Sequence, residues 1–235
     1  MAAVLFGDSP ARALAVYAHP DDPEISCGAT LARWAAGGTE VHVLVLTRGE
    51  KGSHDPAADL VELAERRRSE MEAAGKVLGL AGRQQLGIDD GELVNSPDLR
   101  CEIVAAIRRV RPDVVVCPDP TAVIFGDTYF NHSDHRVAGW ATLDAVSPAA
   151  GNPHYFPAAG PAHPVSVVLL SGTLEPNVWV DVSGTFDTKI AALREHVSQI
   201  REPEGFDERL REWSAEAGRQ IGVAAAEGFR HVEVG

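Results

Sequence analysis

In the stretch "AVYAHPDDPE", residues 15–24, an apolar run ends abruptly in a group of charged residues. A histidine, two adjacent aspartates and a glutamate follow the run within six positions. The run itself, "RALAVYA" at 12–18, is short and unbroken, which is typical of a strand buried on both faces of a parallel sheet. The charged cluster at its end is interpreted either as a turn that caps a helix or as part of a site.

Two more apolar runs repeat this pattern, "TEVHVLVLTRGE" at 39–50 and "RPDVVVCPDP" at 111–120. Helical patterns lie between the runs: "GATLARWAAGG" at 28–38 ends on two glycines, and "PDLRCEIVAAIRRVRP" at 97–112 ends in a proline. Alternating strands and helices predict βαβ crossovers. We therefore predict an α/β fold in a single domain, with a Rossmann-like, doubly wound, mostly parallel sheet and helices on both faces.

The single domain is expected to extend over residues 1–235, with residues 1–150 as the Rossmann-like core. Residues 151–235 are expected to add strands, a loop and C-terminal helices. The patterns indicate strands at 165–170 and 177–182, and helices at 186–200 and 208–228, each range being read from its hydrophobic period.

The segment 147–164 is rich in proline and glycine and has the length of a cover over a site. Its His154, Tyr155, Phe156 and His163 are expected either to stack on a ligand or to pack against the protein. Packing is the favoured interpretation.

The bulk composition restricts the partners. Acidic residues number 34 and basic residues 21, and the resulting net charge of -13 argues against nucleic acid or an anionic membrane. No apolar run is long enough to span a bilayer, and the first 16 residues lack the features of a secretory signal, so a cytoplasmic protein is expected. Cys27, Cys101 and Cys117 are too few and too far apart for a disulfide framework, and they are expected to be small buried hydrophobic residues.

A second charged cluster, "NHSDH" at 131–135, places His132 and His135 on either side of Asp134. It follows the strand predicted at 113–117 by way of a long loop. The carboxyl ends of parallel strands meet at one edge of a sheet, so we expect the two clusters to lie together.

Together the clusters supply imidazole and carboxylate groups. Two imidazoles and one carboxylate leave coordination positions open, which suits catalytic zinc. The same ligand set suits non-haem iron(II), so the ligand types leave Zn²⁺ and Fe²⁺ as alternatives. Consecutive side chains in a loop diverge, so one of Asp21 and Asp22 is expected to coordinate the metal and the other to face water.

The pair of motifs HPDD(x)E and (H)xDH, in this order and about 110 residues apart, resembles the PIG-L/LmbE family of zinc-dependent N-deacetylases. The resemblance extends from the first strand to "HVSQ" at 196–199. Many members have HPDDE and HPDH where this chain has HPDDPE and HSDH, so Pro23 displaces Glu24 by one position and leaves its role open. Ser133 is a conservative change for a loop.

The resemblance implies roles for the residues of both motifs. His19, Asp22 and His135 would be the metal ligands, and Asp21 the general base. His132 would stabilise the oxyanion, and Asp134 would orient an imidazole.

The resemblance also implies substrate contacts. Glu50 stands at the T-x-G-E position that the family holds against substrate hydroxyls, although a plain glycine-rich turn is the alternative. Arg67 lies on an apolar helical stripe and needs an acceptor, because burying an unpaired guanidinium is costly. The stripe consists of Leu60, Ala64, Met71, Ala74 and Leu78. Arg67, together with Glu70, matches the substrate-binding arginine of the family. The alternative is a structural ion pair between Arg67 and Glu50.

The sequence thus predicts a zinc-dependent hydrolase that removes an N-acetyl group, with a small N-acetylated molecule as its partner. The expected substrate is an N-acetylglucosamine-type sugar or glycoconjugate of thiol-precursor or secondary-metabolite biosynthesis. A phosphatidylinositol substrate fits the acidic balance less well. Two alternatives remain open: hydrolysis of a non-sugar N-acyl amide, and a metal-binding or nucleotide-binding module without catalysis, although the first strand has no GxGxxG after it. Homo-oligomerisation is also left open.

Overall fold

The computed structural model describes residues 4–7, 9–200 and 202–235. The strands are β1 Val4–Leu5, β2 Arg12–Tyr17, β3 Glu40–Thr47, β4 Gly82–Ile88, β5 Val114–Pro118, β6 Ile124–Phe125, β7 Tyr129–Phe130, β8 Val167–Ser171, β9 Val178–Asp181 and β10 Ala226–Glu233. The α-helices are α1 Asp22–Ala36, α2 Leu60–Val77, α3 Pro97–Val110, α4 Ser133–Asp144, α5 Phe186–Leu193 and α6 Pro203–Arg219.

Eight strands form one sheet in the order β1-β9-β10-β8-β5-β2-β3-β4. Strands β8, β5, β2, β3 and β4 are parallel neighbours, whereas β10 runs antiparallel to both β8 and β9. Strands β6 and β7 form a separate hairpin. The predicted α/β fold, with a mostly parallel sheet in a single domain, is confirmed. Among the described residues, no helix combines the length and hydropathy that a bilayer span requires.

Helices cover both faces of the sheet, which explains the unbroken apolar runs. Ala13, Ala15 and Tyr17 of β2 pack in one core layer with α1, α2, α5 and α6. The alternate residues Leu14 and Val16 pack in the other layer with α3 and α4. Since a strand with a helix on each face buries every side chain, the period-2 signal disappears from its sequence.

Several predicted boundaries are wrong. Helix α1 begins at Asp22 instead of residue 28, and α5 ends at Leu193 instead of residue 200. The helix predicted at 208–228 is in fact α6, which ends at Arg219, followed by the unpredicted strand β10. The start of this strand continues an alanine run at 224–226, which favours a helix. It forms a strand because both of its edges pair with neighbours, so tertiary pairing overrides local propensity.

Strand β4, "GRQQLGI", was also not predicted, because it has two glycines and few β-branched residues. It is an edge strand that pairs with β3 alone. Cys27 and Cys117 are buried as expected, whereas Cys101 is half-buried.

The segment 147–164 is not a cover over the carboxyl edge of the sheet. It follows the C-terminal end of α4, and His163 Nε2 lies 2.9 Å from the carbonyl oxygen of Pro112, just before β5 begins. The segment therefore lies at the amino-terminal end of the parallel strands. Phe156 and His163 pack against the protein, as the favoured interpretation states, whereas His154 and Tyr155 are exposed.

The buried Arg108 of α3 organises this segment. Its guanidinium donates six hydrogen bonds of 2.8–3.2 Å to backbone carbonyls. The acceptors are Ala149, Ala150, Asn152, Tyr155, Phe156 and Gly160. A planar guanidinium with five N–H groups is suited to gathering carbonyls that belong to no regular element.

We expect Arg108→Lys to lower the free energy of unfolding by about 2–4 kcal/mol, because an ammonium has only three N–H donors for six carbonyls. Urea denaturation measures the change. Arg109→Lys is the matched control, since Arg109 is exposed. Equal unfolding midpoints for Arg108→Lys and the wild-type protein would contradict this role.

Candidate metal centre

Two helix N-termini meet at the carboxyl edge of the sheet. His19 follows β2, and Asp22 is the first residue of α1. His132 is the N-cap of α4, and His135 lies in its first turn. The inserted Pro23 occupies the first turn of α1, where its missing N–H costs nothing, so the departure from HPDDE is accommodated as a helix start.

Donor atoms from three residues converge between these helices. His19 Nδ1 lies 3.1 Å from His135 Nε2, and the two oxygens of Asp22 lie 3.1 Å from His135 Nε2 and 3.3 Å from His19 Nδ1. Ligand atoms on a tetrahedral zinc ion are about 3.3–3.5 Å apart, given bonds of about 2.0–2.2 Å. The donor set therefore fits around one cation.

The electrostatics of the cluster also favour a cation. Burial lowers the pKa of His19, but the charge of Asp22 and hydrogen bonds with Asp134, Asp22 and Asp90 outweigh it and raise this pKa to about 12. For Asp22, burial alone would raise the pKa. The neighbouring His135 and His19 outweigh this effect and hold the pKa of Asp22 well below its usual range. Three buried carboxylates around one imidazole attract positive charge.

The second nitrogen of each imidazole has its own partner. His19 Nε2 lies 3.1 Å from Asp90 Oδ1 and 3.5 Å from Asp134 Oδ2, and His135 Nδ1 lies 3.0 Å from Asn131 Oδ1. These partners fix the tautomers and turn the other nitrogens toward Asp22. Asp134, which was expected to orient an imidazole, lies beside His19.

Sequence reasoning missed Asp90 and Asn131. Asp90 follows β4, so the missed strand also concealed a carboxylate at the same edge of the sheet. The signal that was available is the pair Asp89 and Asp90 after a short segment that ends in Ile88. Asn131 is the first residue of the "NHSDH" cluster, where only the histidines and the aspartate were singled out.

Asp21 is held by Arg67. Arg67 Nη2 donates to Asp21 Oδ1 at 2.7 Å, and Nη1 donates to the carbonyl of Gly49 at 2.7 Å. Arg67 is 3% exposed, so it lies inward as the stripe predicts, but its carboxylate partner is Asp21 and not Glu50. Gly49 has a φ of +65°, and a Cβ there would lie 2.6 Å from Arg67 Nη1, so only glycine permits this contact.

Glu50 is buried and supports the loop after β4. Its two oxygens accept the backbone N–H of Asp90 at 3.1 and 3.3 Å. Glu50 thus positions the carboxylate that faces His19 Nε2. The contact of Glu50 with a substrate hydroxyl stays a prediction.

His132 is exposed and lies beside the donor set, with its ring centroid 4.8 Å from that of His19. Its Nδ1 accepts the backbone N–H of Asp134 at 3.1 Å, so the ring is neutral and carries its proton on Nε2. Burial and the charge of His19 lower the pKa of His132. The chain therefore presents a neutral N–H donor next to the cluster.

The "HVSQ" segment at 196–199 packs between the first turn of α1 and α2. His196 is fully buried, with Nε2 3.4 Å from Glu24 Oε2. Ser198 donates from its backbone N–H and its hydroxyl to Glu70 at 2.8 and 2.6 Å. Glu24 therefore faces the core and not the three donors, and "HVSQ" connects the first turn of α1 to α2.

Comparisons with known proteins agree with this geometry. The family model PIG-L, described as GlcNAc-PI de-N-acetylase, matches residues 14–146, more than half of the chain. A diacetylchitobiose deacetylase of Thermococcus kodakarensis is 35% identical over 227 residues, which cover 94% of this chain and 83% of that protein. A 1D-myo-inositol 2-acetamido-2-deoxy-alpha-D-glucopyranoside deacetylase of Rhodococcus opacus is 32% identical over 250 residues, 82% of each protein.

A solved structure is similar over almost the whole chain. It is the N,N'-diacetylchitobiose deacetylase of Pyrococcus horikoshii in complex with its inhibitor MPG. The TM-score is 0.87 at 30% sequence identity, and the match covers 95% of this chain and 84% of that one. The chain is accordingly an N-deacetylase, a hydrolase of non-peptide C–N bonds, and it belongs to the PIG-L family.

Proposed function

We propose that this N-deacetylase is zinc-dependent, with His19, Asp22 and His135 as metal ligands and Asp21 as general base. Its substrates contain N-acetylglucosamine, as the family and its relatives indicate. One observation carries the proposal: donor atoms from three residues lie 3.1–3.3 Å apart, and the carboxylate of Asp21, the neighbour of Asp22 in the chain, is bound by Arg67 instead. A metalloenzyme that activates water needs both a ligand set and a separate base.

A bound zinc ion supplies a Lewis acid and lowers the pKa of a coordinated water. The chain supplies the proton transfers. Arg67 engages Asp21 Oδ1, and among the described residues Oδ2 has no hydrogen-bond partner, so it is free to take the proton of the attacking water. Water adds to the acetamide carbon, the C–N bond breaks, and Asp21 returns the proton to the amine, giving acetate and the free amino sugar.

His132 stabilises the carbonyl oxygen as it gains negative charge. Its Nε2–H is a donor in the neutral ring, so this function does not require an imidazolium. The N-cap contact of Nδ1 fixes the direction in which Nε2–H points. Such a preoriented donor contributes about 10²–10³ in rate in hydrolases.

The proposed substrate class is an N-acetylglucosamine unit joined to a second ring. The two curated relatives act, by name, on diacetylchitobiose and on an inositol glycoside, each of which has two rings. In this chain the hairpin of β6 and β7 ends directly before the "NHSDH" cluster and carries Tyr129 and Phe130, which are 52% and 65% exposed. Exposed aromatic rings beside the site are suited to stack on a second ring.

We expect the wild-type protein to release amine from diacetylchitobiose and from the myo-inositol glycoside, and Asp21→Asn to lower this rate by about 10²–10⁴ while zinc stays bound. A fluorescent amine assay and metal analysis measure both quantities. N-acetylglucosamine itself and a non-sugar N-acyl amide complete the panel. Turnover of the simple amide alone would favour the amidohydrolase alternative, and bound zinc without any turnover would favour a non-catalytic module.

We expect His135→Ala to weaken zinc binding by more than about 10²-fold, because losing a ligand costs more than losing a partner of a ligand. Elemental analysis for zinc and iron after dialysis against a chelator measures the loss. His154→Ala is the control, since His154 is exposed at the other end of the sheet. Undiminished metal content in His135→Ala would show that the ligand assignment is wrong.

We expect His132→Asn and His132→Ala to lower kcat by about 10²–10³ without loss of zinc. Asparagine is a good N-cap, so His132→Asn should keep the stability that His132→Ala loses, about 1 kcal/mol. Steady-state kinetics and urea denaturation separate the two effects. Wild-type kcat in His132→Ala, which has no side-chain donor, would exclude His132 as the oxyanion donor.

A further inference from the structure

Helix α1, which begins at the proposed ligand Asp22, is broken five residues later. Cys27 has φ −148° and ψ 18°, well outside the helical region. A short first turn, 22–26, is thereby separated from the longer segment 28–36. A break of this kind releases backbone N–H and C=O groups from their partners within the helix.

The released groups bond to one buried ion pair. Glu227 accepts the N–H of Thr30 at 2.8 Å and that of Ala29 at 3.3 Å, so it caps the start of the second segment. Lys189 Nζ donates to the carbonyl of Ile25 at 2.8 Å, so it caps the end of the first turn. Lys189 Nζ also lies 2.7 Å from Glu227 Oε1. The carboxylate meets a helix N-terminus and the ammonium a helix C-terminus, as the helix dipole favours.

The pair is deeply buried, since Lys189 is 4% exposed and Glu227 is 6% exposed. Gly28 leaves room for it, because a Cβ at this position would lie 3.3 Å from Lys189 Cγ. Removing two charges from water is costly, and apolar residues of similar size are often as stable. A gain in stability therefore does not explain why an ion pair lies here. The contacts of the pair with both segments of α1 indicate that it fixes the angle between them.

We propose that Lys189 and Glu227 are positioning residues of the metal centre. By capping both sides of the break, they hold the first turn of α1 at the angle at which the Asp22 carboxylate meets His19 and His135. Neither residue contacts the three donors among the described contacts, so the effect acts through the backbone of the turn. The inference rests on the proposed function in taking Asp22 as a metal ligand.

The test uses Glu227→Gln, which removes the charge and keeps the shape, and the double variant Lys189→Met/Glu227→Met, which removes both charges. We expect both variants to bind zinc about 10–10²-fold more weakly, the effect of losing a partner of a metal ligand. In the metal-free protein, amides of 22–30 should exchange hydrogen at least tenfold faster while those of α3 are unchanged. The visible spectrum of the Co²⁺-loaded protein should change, because it reports ligand geometry.

The double variant separates positioning from stability, since replacing a buried pair by apolar residues is often neutral or stabilising. Asp207→Asn is the matched control: it breaks the Arg194–Asp207 pair, which also involves the end of α5 but has no hydrogen bond to α1. The control should keep wild-type zinc affinity, cobalt spectrum and exchange at 22–30.

A stable double variant with wild-type zinc affinity, cobalt spectrum and amide exchange would overturn the inference. Should Glu227→Gln fail to fold, the double variant alone decides. If the wild-type protein binds no zinc, the proposed function fails, whereas the exchange rates at 22–30 in the metal-free protein still decide whether the pair holds the turn.

Discussion

The contact between His19 and His135 joins the two sequence motifs of the site. The two imidazole nitrogens lie 3.1 Å apart although the residues are 116 positions apart in the chain. They meet because β2 and β5 are parallel neighbours, so that the segments leaving both strands emerge at the same edge of the sheet. Each segment then begins a helix, and the two helix N-termini face the site with their positive ends, which suits the carboxylate of Asp22.

The residues proposed to act in the reaction are held in place by hydrogen bonds from surrounding residues. Arg67 fixes Asp21, and the close approach of Gly49 lets Arg67 do so. Glu50 fixes the backbone of Asp90, whose carboxylate faces His19. A side chain without hydrogen-bond partners has several rotamers. Positioning its reactive atoms to within a fraction of an ångström therefore requires partners such as these. A glycine at residue 49 therefore bears on the reaction although it has no side chain.

The sequence was sufficient for the features that depend on local pattern. The runs around β2, β3 and β5 predict the fold class. The two charged clusters bring together His19, Asp22, His132, Asp134 and His135. The predictions that were wrong share one cause. In these segments, contacts with distant parts of the chain determine the secondary structure, and the local sequence does not. Strand β10 follows directly on a helical pattern and forms because β8 and β9 pair with both of its edges. Asp90 was missed because it follows β4, which has the composition of a loop. No local signal marks Glu227 as the partner of a broken helix at the other end of the chain.

The C-terminal third of the chain supports the site, although the matched family region ends at residue 146. Lys189 and Glu227 cap the break in α1, His196 faces Glu24, and Ser198 bonds to Glu70. Each contact joins a late element to α1 or α2, the helices that carry Asp22 and Arg67. A substitution in α5, "HVSQ" or β10 is therefore expected to alter the candidate metal centre without a contact to any of the proposed ligands. The proposed ligands form a short sequence motif, but the geometry of the centre is a property of the whole domain.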